Sequence, residues 1–280
     1  MGRRVGRGKG SLSLMRQVLD VHAHAFPDDV AARAVAKLEA ACPIRTVAEA
    51  TVSSLLRSMD AAGVTRSVVC AIATKPDQAE GILSWCDAIR SDRVVPFPSV
   101  HPATPYVERW IERIVAEGFR GIKLHAMYQE FVVDDPSMDR IYAAAEDLGL
   151  LIEFHAGRDF GFPPDDDRAS PARMVHLAER YGGLRMICSH MGGWRMWDES
   201  ESRLIGKADV YVETSFSLDE LGADRAMDMI RRHGVDRVLF GTDWPWARQD
   251  ESIDQLARLP LDDVERERIL WGNATELLGL

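Results

Sequence analysis

Val18-Leu19-Asp20-Val21-His22-Ala23-His24, closed by Phe26-Pro27-Asp28-Asp29, decides how the chain is read. The apolar, partly β-branched run predicts a short buried strand that stops at the proline and the paired acids. Side chains alternate along a strand, which predicts Asp20, His22 and His24 on one side. Two imidazoles two residues apart on a rigid strand can hold one metal ion together, and neutral imidazole nitrogen suits zinc and other first-row divalent ions. A packed or solvated histidine pair is the alternative, and the rest of the chain has to decide.

Outward from that stretch the same pattern recurs. Residues 66–72, 94–100, 119–125, 150–155, 184–190, 210–214 and 237–243 are further strand-length apolar runs. Helical periodicity fills the gaps at 29–41, 47–62, 77–90, 104–117, 137–148, 170–181, 199–207 and 219–233. Two short helices near 250–258 and 262–270 and a tail from Gly272 to Leu280 complete the chain. Near-continuous apolar strands are the mark of a parallel sheet buried on both faces. Eight of them alternating with helices predict an α/β chain folded as one (β/α)8 TIM barrel over residues 17–280. An open doubly wound sheet is the alternative. Its dinucleotide-binding form is disfavoured, because no Gly-x-Gly-x-x-Gly follows the first strand.

Composition narrows the function classes. The 280 residues are 46% hydrophobic and 28% charged, with net charge −10. The first 16 residues hold five basic residues and no acid, and read as a flexible basic leader without the apolar core of a signal peptide. The remainder, with 29 basic against 44 acidic residues, carries −15, which argues against nucleic acid as a partner. No run approaches the ~20 apolar residues of a membrane span. Cys42, Cys70, Cys86 and Cys188 are scattered, as expected of reduced thiols in a cytoplasmic protein.

In such a barrel the active site forms at the C-terminal ends of the strands. Those ends offer His22 and His24, His101 just past the third strand, Lys123 and His125, His155, His190 and Asp243. Six of the eight histidines therefore converge on one face, while His176 and His233 fall in helices. This convergence supports a metal site more strongly than any single motif.

The stretches Asp20-Val21-His22-Ala23-His24, Gly121-Ile122-Lys123-Leu124-His125, Phe154-His155-Ala156-Gly157, Ser189-His190-Met191-Gly192-Gly193, Leu239-Phe240-Gly241-Thr242-Asp243-Trp244-Pro245 and Gly272-Asn273-Ala274 carry a resemblance. Over Asp20–Leu280 the chain resembles the amidohydrolase superfamily, in the branch that includes aminocarboxymuconate-semialdehyde decarboxylase and related hydrolases and hydratases. The resemblance implies one divalent metal, zinc with manganese or another first-row ion as alternatives, bound by His22, His24, His155 and Asp243. It also implies His190 beside the metal, with Asp243 and His190 as the catalytic pair that moves protons on a metal-activated water. Binuclear members carry a carboxylated lysine on strand 4. Here His125 stands one step nearer the mouth than Lys123, and Glu153 faces Lys123 from strand 5, so a plain Lys123–Glu153 ion pair is expected instead of a carbamate. Asp20, one layer below His22, could orient a ligand, and Glu213 could face the barrel or a helix.

The loops at this face are aromatic. His125, Arg158, Trp194 and Trp244 are the expected substrate contacts, with Arg158 or Arg195 gripping a carboxylate. The same tryptophans would also permit a homodimer. A small-molecule substrate is expected, and three functions follow. The leading one is a hydrolase acting on an amide, ester or lactone. The alternative is a non-oxidative decarboxylase of an aromatic or unsaturated acid, and the third is a non-catalytic metal- or ligand-binding protein.

Overall fold

Eight short parallel strands form the centre of the molecule: β1 (Leu19–Ala23), β2 (Arg66–Cys70), β3 (Val94–Phe97), β4 (Gly121–Leu124), β5 (Leu151–Phe154), β6 (Met186–Cys188), β7 (Tyr211–Glu213) and β8 (Val238–Leu239). The computed structural model describes residues 17–280, so the leader expected over 1–16 lies outside the described residues. Pairing runs β1-β2-β3 and β4-β5-β6-β7-β8 in chain order. Backbone bonds just beyond the strand ends join the two sheets. Lys123 N donates to Pro98 O at 3.0 Å, Val21 N to Phe240 O at 2.9 Å and Asp243 N to His22 O at 2.7 Å. The ring is thereby closed, as the alternating pattern predicts.

The helices that wrap it are α1 (Asp28–Ala41), α2 (Val52–Ala62), α3 (Ala79–Ile89), α4 (Val107–Ala116), α5 (Asp139–Asp147), α6 (Pro171–Arg180), α7 (Trp197–Glu199), α8 (Leu218–Leu221), α9 (Ala223–His233), α10 (Gln249–Ala257), α11 (Asp263–Glu267) and α12 (Asn273–Leu278). The helix expected over 47–62 starts only at Val52, where the Thr51 hydroxyl accepts from Ser54 N at 3.3 Å and caps it. The one expected over 219–233 is broken at Gly222, whose φ of 73° leaves the helical region. The tail after Gly272 is helical. Ala274, Leu277 and Leu278 of α12 plug the floor of the barrel against Leu19, Val68, Leu151, Ile187 and Leu239. Asn273 fixes α12 there by donating to Val235 O at 2.7 Å and Val238 O at 2.8 Å. No helix among the described residues is long and apolar enough to cross a membrane.

His233, expected from its place in a helix to be solvated or capping, is instead a buried strut. Its Nδ1 accepts from Gly206 N at 3.2 Å, and its Nε2–H donates to Val210 O at 3.0 Å. Burial holds this imidazole below its ordinary 6.5. The unfolded chain therefore takes up the proton first as pH falls, and stability drops below pH 6.5, by up to ~1.4 kcal/mol per pH unit from this one group. His233→Gln keeps an acceptor and a donor but cannot titrate. Urea midpoints between pH 7 and 5 should fall less steeply for the variant than for the parent, and equal slopes would show that His233 contributes nothing.

Candidate metal centre

Above the apolar floor the barrel interior turns polar. Lys123, Glu153, Ser189 and Glu213 are fully buried there, and His22 joins them at 1% exposure. A bulge in β1 admits His22 to this layer. Asp20 pairs with Ser67 but Ala23 with Val69, so β1 carries one extra residue between them. The consequence corrects the simple alternation. Val21 packs into the floor and His22 lies beside Glu153 and Glu213. Asp20 instead turns to the far side, accepting from Thr242 N at 3.0 Å, Thr242 Oγ1 at 2.7 Å and Gln249 Nε2 at 2.8 Å. Burial pushes Asp20 up to about 7 against those hydrogen bonds. Its role is to hold the β8 loop, and with it Asp243, against β1.

The ring partners assign the tautomers of the two strand-1 histidines. His22 Nδ1 faces Glu213 Oε1 at 3.1 Å, and His24 Nδ1 faces the Cys70 carbonyl at 2.8 Å; both partners only accept. Each Nδ1 therefore carries the proton, and in the neutral rings each Nε2 is a bare lone pair. Burial, with the Lys123 ammonium, pushes His22 down to about 3, so it is neutral. The two Nε2 atoms lie 3.1 Å apart, and Asp243 Oδ1 lies 3.5 Å from His22 Nε2 and 3.2 Å from His24 Nε2. Three electron-pair donors thus converge. The only hydrogen-bond donor near them among the described residues is Lys123 Nζ, 3.1 Å from His22 Nε2, and it is committed to Glu153 Oε1 at 2.7 Å.

Charge makes the same point. One ammonium, Lys123, stands against three carboxylates, Glu153, Glu213 and Asp243, leaving two negative charges in a site shielded from water. Unbalanced buried charge is costly. A divalent cation between His22, His24 and Asp243 would satisfy the lone pairs and neutralise the charge together, so the residues present fit a metal.

His155 is placed differently from the expectation of a fourth ligand. Its Nε2 lies 2.8 Å from Arg158 O, and its Nδ1 faces His190 Nε2 at 3.1 Å. It falls in a neighbouring cluster with His125 and Asp159, its ring stacked on His125 at 4.2 Å. The Arg158 carbonyl, which no sequence pattern flags, is what holds that ring. His190 sits between the two clusters. Its Nδ1 is 2.8 Å from Ser215 Oγ, its backbone N donates to Glu213 Oε1 at 2.8 Å, and burial pushes it down to about 4. Glu213, undecided from sequence, therefore faces the barrel and holds both His22 and His190. Gly241 makes room for it, since a Cβ there would lie 2.1 Å from Glu213 Oε2. His190, Met191, Arg195, Phe216 and Asp243 all adopt positive φ. Backbone strain is thus concentrated in the loops after β6, β7 and β8, where the site lies.

These groups open into a cavity of about 740 Å³. Its walls near the donors are Trp194, Phe160, Phe216 and Trp246. Trp194 thus stands where a substrate contact was expected. Trp244 does not, because it is 1% exposed and packed in the core, while its carbonyl takes His24 N at 2.6 Å to close the barrel. Trp246, two residues on, presents its ring to His24 at 5.5 Å. Arg158 is also corrected: its side chain is exposed and outside the cavity. Arg195 lies over Phe160 and Trp194 and pairs with Glu220 at 3.3 Å. No arginine lines the cavity among the described residues. His125 does line it. Its Nε2 meets Asp159 Oδ2 at 3.3 Å, and Gln129 Oε1, accepting from His125 N at 2.8 Å, fixes its backbone. His125 Nδ1 and Trp194 Nε1 are buried without a hydrogen-bond partner.

Known proteins resemble this chain in sequence and in fold. Gamma-resorcylate decarboxylase of Polaromonas sp. (strain JS666 / ATCC BAA-500) is 31% identical over a match covering 37% of this chain and 37% of the relative. The chain thus aligns with little more than a third of that relative's length. Among solved structures, a dihydroxybenzoic acid decarboxylase from Polaromonas sp. JS666, with bound manganese and the inhibitor 2-nitroresorcinol, superposes with TM-score 0.68 at 17% identity, covering 95% of this chain and 97% of that one. The 5-carboxyvanillate decarboxylase of Sphingomonas paucimobilis gives TM-score 0.71 at 15% identity, covering 95% and 99%. Both share the fold. The amidohydrolase family model matches residues 19–280, nearly the whole barrel, and the chain therefore belongs to the amidohydrolase family.

Proposed function

We propose that this chain is a metal-dependent, non-oxidative decarboxylase of a small aromatic hydroxy acid. The choice of decarboxylation over the hydrolysis expected from sequence is carried by the 31% identical gamma-resorcylate decarboxylase. The cavity supports the same choice. No arginine lines it among the described residues, Lys123 is committed to Glu153 and Lys37 is exposed, so a divalent cation held by His22, His24 and Asp243 would be the counter-charge for a substrate carboxylate.

His22, His24 and Asp243 would hold the ion, with His155 as the further imidazole of the same cavity. A bound divalent cation supplies positive charge to a carboxylate and its neighbouring hydroxyl. The protein supplies the rest. Trp194, Phe160, Phe216 and Trp246 wall the ring and exclude water. Loss of carbon dioxide breaks the ring–carboxyl bond and needs one proton delivered to the ring carbon. His190, neutral in the free protein, would have to take up that proton as substrate binds. Its Nδ1 lies 2.8 Å from Ser215 Oγ, which is 2.7 Å from Glu213 Oε1, so a buried hydrogen-bonded chain backs the ring that faces the cavity. Zinc and manganese both suit the donor set.

The test is carbon dioxide release from dihydroxybenzoates, run beside a panel of lactones and esters. Release should scale with protein, stop with a chelator and return with manganese or zinc. Lactone opening with no carbon dioxide from any hydroxybenzoate would overturn decarboxylation in favour of hydrolysis.

A further inference from the structure

The cavity is larger than its metal end requires. At about 740 Å³ it lies in the upper part of the ~300–1,000 Å³ range that accommodates drug-sized ligands, whereas a single-ring acid is much smaller. The additional space runs away from the histidines between α1 and α3. Val30, Ala34 and Leu38 recur every four residues along α1, and Ile82 and Trp85 face them from α3; all five are half-buried and line the cavity. In the fourteen residues of α1 only Ala31 is fully buried. The apolar stripe of α1 is therefore turned toward the cavity and left partly exposed. Charged groups of this region, Lys37 and Asp77, are exposed at its outer edge. The arm is continuous with the donor end, so whatever fills it can be the far end of a molecule whose acid group sits at His22, His24 and Asp243.

We propose that the substrate carries an uncharged alkyl substituent that lies in the arm between α1 and α3, with Val30, Ala34, Leu38, Ile82 and Trp85 selecting for it. The acid end of this substrate rests on the decarboxylase reading; the arm itself does not. A chain in the arm buries methylenes against apolar walls, and each buried methylene is worth about fourfold in affinity, the equivalent of ~0.8 kcal/mol. A charged or strongly hydrated tail would lose its water without a partner.

The experiment titrates the metal-loaded full chain with resorcinol and its 5-methyl, 5-propyl and 5-pentyl derivatives by calorimetry, with carbon dioxide release from 2,4-dihydroxybenzoate measured separately. The dissociation constant should fall about fourfold per methylene at one site per chain. Ala34→Phe, which fills the arm, should flatten the series, and its melting curve reports whether it folds. If it does not fold, the parent series still decides. A flat or reversed series in the parent overturns the arm, whether a second copy of the chain or anything else occupies it. A tightening series that Ala34→Phe flattens supports the arm even if no carbon dioxide is released, and in that case only the decarboxylase reading falls. Carbon dioxide release with a flat series does the reverse, overturning the arm and leaving the decarboxylase reading in place.

Discussion

Replacing Asp243 by asparagine should leave the fold standing and empty the metal centre. Asp243 sits at φ 63°, a left-handed conformation that asparagine adopts readily, and its backbone N–H to His22 O at 2.7 Å does not depend on the side chain. What the substitution removes is the negative charge facing His22 Nε2 and His24 Nε2. Loss of groups that merely orient metal ligands costs ~10–100-fold in affinity, so loss of a directly donating carboxylate should cost at least the upper end of that range. Metal retained after dialysis should fall from about one per chain to a trace, carbon dioxide release should fall with it, and the far-ultraviolet spectrum should be unchanged. A variant that keeps its metal and activity would remove Asp243 from the centre.

The second large effect is at Lys123. Its ammonium is fully buried between Glu153 Oε1 at 2.7 Å, Ser189 Oγ at 3.1 Å and His22 Nε2 at 3.1 Å. Burial lowers the basicity of this amine, but Glu153 and the other acidic groups around it together more than offset it and keep the group charged. Lys123→Met leaves Glu153 buried without its partner and should destabilise the protein by ~3–5 kcal/mol. Adding Glu153→Gln should recover most of that loss, because the uncompensated charge is gone. Urea unfolding of the four proteins in the cycle measures it. A Lys123→Met protein as stable as the parent would refute a charged structural pair. A parent whose Lys123 carries an extra carboxyl group by mass spectrometry would replace that pair with a metal bridge.

The barrel and the general location of the site are legible in the sequence because they rest on local signals. Apolar runs mark strands, and polar residues at their ends mark the mouth. Side-chain direction is less legible, because it depends on partners far away in the chain. The extra residue in β1 is visible only against the register of β2, and it sends Asp20 to Thr242 and Gln249 while turning His22 inward. The orientation of Glu213 is set by His22, 191 residues earlier. Trp244 and Trp246 look equivalent in sequence, yet the first closes the β1–β8 seam and only the second reaches the cavity. Arg158 stands out in sequence for its guanidinium, but its carbonyl is the atom that matters, since it holds His155. The periodicity over 29–41 predicts a helix but not what its apolar stripe faces, and only the three-dimensional arrangement shows that it borders open space.

Three converging lone pairs and two unbalanced buried charges suit this site to one divalent cation. The most direct test is metal content per chain, by plasma mass spectrometry on protein purified without chelators or a metal-affinity tag. About one first-row divalent ion per chain is the expected result. A value near zero that added zinc or manganese cannot raise, or a value near two, would contradict a single-cation centre.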